Sequence, residues 1–81
     1  MNDDQLSALL IIAIIPEIID YILKNSTITE LQAISSFYHS RLYSELTDES
    51  TKLWHYSPLM LYTMFQDELL TGQYDYPESA A

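Results

Sequence analysis

The chain reads as an all-α protein, a compact bundle of three main helices at about 4–24, 28–46 and 58–71 with a short helical turn near 48–55. Three observations carry this reading. One glycine and three prolines punctuate 81 residues, and the abundance of Leu, Ile, Glu, Gln and Met favours helix throughout. Apolar residues recur at three- and four-residue steps, as the face of a helix requires. No two runs read as a β-hairpin. At this length the chain is one domain, expected over 1–72, with 73–81 an extended or disordered acidic tail that carries Pro77.

The first helix is expected to be capped by Asp3 or Asp4 and to run to Lys24, with Asn25-Ser26 as the break. Pro16 removes one backbone hydrogen bond and should kink the helix or divide it. Thr27-Ile28-Thr29-Glu30 matches a capping box, in which Thr27 accepts from the N3 amide and Glu30 reaches back. Leu31, Ile34, Phe37, Tyr38, Leu42 and Leu46 then mark one face of a second helix, with an interruption near Tyr43 left open. Thr47 to Ser50 offers another cap, followed by a short turn bearing Leu53 and Trp54. Ser57 and Pro58 fit N-cap and N1 of a last helix, and Gly72 fits its C-cap.

Twelve acidic side chains face only Lys24, Arg41 and Lys52, a net charge of −9. Such a field repels phosphates, so direct nucleic-acid binding and anionic lipid are not expected. The charge keeps an apolar small domain soluble, and it also attracts a basic protein. Cysteine is absent, which removes disulfides and thiolate metal sites together. The apolar block Leu6 to Ile15 lacks the basic region and cleavage pattern of a signal peptide. Its uninterrupted run falls short of the roughly 20 residues a membrane span needs, and Glu17 and Asp20 follow at once. A buried helix of a cytoplasmic protein is the expectation.

Chemistry-bearing patterns are weak. His39 and His55 are sixteen residues apart, with no spacing that sets two metal ligands on one helix face. Asp48-Glu49 and Asp67-Glu68 read as a helix start and a solvated face, which is not the converging pair a hydrolase needs. Nine serines lack a nucleophile elbow. The expectation is no enzyme, no cofactor and no metal.

What remains is apolar and aromatic surface. Trp54 is expected to plug the core between helices, with Tyr56 at the rim. On the last helix Leu59, Leu61, Tyr62, Phe65, Leu69 and Leu70 share one arc and leave Met60 and Met64 outside it. Those methionines suit either an adaptable binding surface or the far side of a helix sandwiched between two neighbours. On the first helix Glu17, Asp20 and Lys24 form a polar stripe after Pro16. Its continuation before Pro16 is Leu6, Leu9, Leu10 and Ala13, so that half is apolar all round and calls for cover. The candidate interaction surface is therefore Leu6, Leu9, Leu10, Ala13, Tyr56, Met60 and Met64, used for self-association, a dimer first, or for a partner's groove.

Four local patterns, Phe37-Tyr38-His39-Ser40, Leu42-Tyr43, Thr51 through Pro58 (Thr-Lys-Leu-Trp-His-Tyr-Ser-Pro) and Glu68 through Gly72, give about half of the chain a resemblance to small, functionally uncharacterised bacterial helical proteins. The resemblance implies a helical fold, genes often beside toxin-like ones, and an antitoxin or accessory role; it brings no catalytic residues with it. The expectation is a small acidic interaction module, regulatory or antitoxin-like, that occludes a protein partner, with the charge pointing to a basic one. The alternatives are a DNA-mimicking inhibitor and, far behind, a small enzyme.

Overall fold

The helices follow from their caps. In the computed structural model, which describes residues 2–74, Asn2 starts the first helix. Its side chain accepts from the Gln5 amide (2.8 Å) while Gln5 reaches back to the Asn2 amide (3.2 Å). This replaces the expected Asp3 or Asp4 cap and leaves both acids in the first turn, where the helix dipole favours them. Helix α1 (Asp3–Leu9) passes into a π-helical segment (Leu10–Ile14) and then into α2 (Ile15–Lys24). The rest is α3 (Glu30–Tyr38), α4 (Arg41–Leu46), two 3-10 turns (Glu49–Thr51 and Leu53–His55) and α5 (Pro58–Thr71). The protein is all-α, with no strand among the described residues.

Pro16 neither breaks the first helix nor divides it. The wider turn just before it carries the Ile15 amide to the Leu10 carbonyl, five residues back. A π turn of this kind makes room where a proline ring would otherwise meet the carbonyl of the preceding turn. The continuous helix Asp3–Lys24 is long and apolar enough to cross a membrane by length and composition. Here its inner row is the core. Leu6, Leu10, Ile14, Ile15, Ile18, Ile19 and Ile22 are all buried, together with Phe37, Leu42, Leu46, Leu53, Leu61 and Phe65.

The capping box of α3 sits two residues later than expected. Thr29 accepts from Gln32 (3.2 Å), and the Gln32 side chain accepts from the Thr29 amide (2.9 Å). Asn25 and Ser26 close α2 by donating to the Tyr21 and Ile22 carbonyls, at 2.8 and 2.9 Å, so the chain needs the residues up to Thr29 to turn back. The expected helix 28–46 is two helices, and the break lies at His39-Ser40 rather than near Tyr43. Ser40 caps α4 by accepting from the Tyr43 amide (3.0 Å). Ser57, Pro58 and Gly72 (φ 83°) take the places expected of them.

Packing is α2 against α3 and α5, with α4 bridging α3 and α5. Tyr21 stacks on Tyr62 (5.6 Å) and Phe37 meets Phe65 edge-on (5.4 Å). Leu53, not Trp54, fills the core beneath the second 3-10 turn; Trp54 is half-buried, its indole donating to the Glu49 carbonyl (3.4 Å). Lys52, between the two 3-10 turns, adopts φ 57° and is the one non-glycine residue with positive φ among those described.

Candidate interaction surface

Helix phase decides which side chains of the apolar amino-terminal block reach solvent. A π turn rotates everything before it, relative to a plain α-helix, by on the order of a quarter turn. Leu6 and Leu10 therefore face the core, and Leu9 is half-buried. Of the first-helix residues expected at the surface, Ala13 alone is fully exposed. The residues that take their place are Ile11 (66% exposed) and Ile12 (77%), with Leu31 (79%) and Tyr38 (44%) on α3.

Ile11 and Tyr38 line one groove. A groove of about 310 Å³ runs between the first helix and α3, floored by Ile15, Pro16, Ile19 and Ile34, with Ile11 and Tyr38 at one end and Glu30 at the other. Leu31, Ile34 and Tyr38 fall at i, i+3 and i+7 and so form one stripe along α3. Tyr38 joins a three-ring cluster with Phe37 (6.2 Å between centroids) and Tyr43 (4.6 Å), which also meet each other edge-on (5.7 Å).

The second expected cluster comes apart in the same way. Met64 is buried, Met60 and Tyr56 are half-buried against the core, and Leu59, Leu69 and Leu70 of the expected inner arc point outward. Between α2 and α5, α5 is apolar on nearly every side until Asp67, so its sequence polarises the helix weakly. The Tyr21–Tyr62 and Phe37–Phe65 ring contacts fix its rotation instead. A second apolar hollow of about 300 Å³ opens beside Ile22, Ile28, Tyr62, Phe65 and Leu69.

The polar side chains are largely committed to structure. Glu68 accepts from the Arg41 and Leu42 amides at 2.8 and 2.9 Å, joining α5 to the start of α4. Arg41 lies over the Tyr74 ring (4.7 Å) and pairs with Glu45 (3.3 Å), whose other oxygen accepts from the Tyr74 hydroxyl. Tyr74, placed by sequence in a free tail, is thus buried; the remainder of the expected tail, 75–81, lies outside the described residues. Asp48 accepts from the Ser50 hydroxyl (2.7 Å) and amide (3.0 Å), and these bonds hold its carboxyl below its ordinary range. On α2, Asp20 pairs with Lys24 at 2.8 Å and holds that ammonium above its ordinary pKa. His39 is exposed with Nδ1 2.7 Å from the Ser35 carbonyl, while His55 packs on Trp54 at 4.0 Å. Compared with protein-family models, curated proteins and solved structures, the chain finds no match in any of the three.

Proposed function

We propose that this chain is a small acidic protein-interaction module, regulatory or antitoxin-like, that docks a protein partner through the apolar surface formed by the π segment and α3. One observation carries the reading: Ile11 and Ile12 stand in solvent on a helix whose other side is the core, and Ile11 shares an apolar groove with Tyr38 and Ile34 of α3, on which Leu31 is also exposed. Monomeric proteins seldom leave contiguous apolar surface uncovered without a use for it. Binding there would act by occlusion, the module covering a partner's working surface, with the net charge of −9 drawing a basic partner in. A DNA-mimicking role has less support, because Glu45, Asp48 and Glu68 are tied up in internal hydrogen bonds.

The test is affinity capture from the native host, followed by reconstitution of the captured protein with purified components. The double variant Ile11→Asp, Ile12→Asp should keep its helicity and lose the partner. The captured protein's own activity should fall when the parent chain is added at equal molarity. Capture undiminished by the double variant would reject this surface.

A further inference from the structure

The groove between the first helix and α3 has a length and a charge that describe its occupant. From Ile11 to Ile19 it spans about 12 Å, roughly two helical turns, and its floor of Ile15, Pro16, Ile19 and Ile34 is wholly apolar. That length matches three anchors at i, i+4 and i+7 of one amphipathic helix laid in a groove. Glu30 is the single charged residue lining it. The cations nearest in sequence are engaged elsewhere, Lys24 with Asp20 and Arg41 with Glu45 and Tyr74. A carboxylate at the edge of an apolar floor, in a chain of net charge −9, complements a basic helix and opposes a second copy of itself.

Building on the reading of this face as the interaction surface, we propose that the groove receives an amphipathic α-helix of a protein partner, with apolar anchors at i, i+4 and i+7 and Lys or Arg flanking them. The experiment selects from a displayed library of short helical peptides, randomised at anchor and flanking positions, against the full chain. Enriched peptides should carry that apolar spacing and a surplus of Lys and Arg. The best of them should bind at least tenfold more weakly to Ile11→Glu and several-fold more weakly to Glu30→Lys, both variants matching the parent in far-ultraviolet circular dichroism.

Failure to enrich, enrichment of acidic or non-helical sequences, or binding indifferent to both substitutions would overturn the proposal. Sedimentation of the parent chain separates this failure from that of the underlying reading. A dimer that Ile11→Glu dissociates would keep the face as an interaction surface while making its occupant a second copy. If Ile11→Glu changes neither self-association nor the capture of any partner, the surface itself falls.

Discussion

Glu68 binds two amides of a helix that begins twenty-seven residues earlier in the chain, and that contact, together with Ser40, ends one helix and starts the next. A carboxylate accepting from amides at a helix start satisfies orphan donors and meets the positive end of the helix dipole. Glu68→Ala should therefore cost about 2 kcal/mol of unfolding free energy, taking hydrogen bonds to a charged group at partial exposure. Asp67→Ala, one position away and exposed, should change it by less than about 0.5 kcal/mol. Urea titrations of both variants check the contrast, and equal costs would deny Glu68 its role. Asp48 makes a pH-dependent counterpart. Its hydrogen bonds from Ser50 lower the folded-state pKa beneath the ordinary 3.8, so its contribution is complete above that value and disappears as pH falls through the folded pKa. Asp48→Asn should thus destabilise near neutrality and approach the parent as the pH falls through the lowered carboxyl pKa, as read from denaturation midpoints along an acid titration.

Within the first helix, the buried positions Leu6, Leu10, Ile14, Ile15, Ile18, Ile19 and Ile22 contain one residue too many for a plain α-helix. Between Leu10 and the pair Ile14-Ile15 the spacing is four and five, where the repeat after it runs three and four. The π turn absorbs that extra residue. Burying Leu6 and Leu10 contributes roughly 3–6 kcal/mol together, against about 1 kcal/mol for one backbone hydrogen bond, so burial sets the phase and the backbone yields. Removing Ala13 should restore a regular α-helix with the same inner face while pressing Pro16 back against the preceding turn, at a cost of about 3 kcal/mol. In a Pro16→Ala background the same deletion should cost less than about 1 kcal/mol, a non-additivity that a double-mutant cycle detects. Additive effects would show that the π turn owes nothing to the proline. Here also lies the limit of the sequence as a guide. Ser57 caps through its own hydroxyl, which accepts from the Met60 amide, and Pro58 and Gly72 act through their own backbones, so these helix ends can be read directly. Thr27 and Thr29 each head a plausible capping box, and only the length of the turn after α2 chooses between them. The start of α4 after Ser40 is also met by Glu68 from the last helix, a contact no local pattern reveals. An uninterrupted helical wheel puts Leu6 and Leu10 at the surface, whereas the extra residue turns them inward and leaves Ile11 and Ile12 exposed; the four-and-five spacing is present in the sequence, but only the folded chain shows that a wider turn before Pro16 absorbs it.

At the scale of the whole molecule, charge and shape would act on different parts of the proposed binding event. The net charge of −9 reaches beyond the contact surface and accelerates encounter with a basic partner, an effect that added salt screens over a Debye length of about 8 Å at physiological ionic strength. The proposed groove contact would act only after encounter, through apolar side chains that salt hardly touches. Association of the captured partner, or of a selected basic helix, should slow about tenfold between low and high salt while dissociation changes less than about twofold. Ile11→Glu should do the reverse: the added carboxylate leaves the long-range attraction in place, and the lost apolar anchor speeds dissociation at least tenfold. Surface plasmon resonance across a salt series separates the two rates. If salt instead acts on dissociation, and Ile11→Glu on association, the apolar groove is not where the complex is held, and its stability rests on charge pairs outside it.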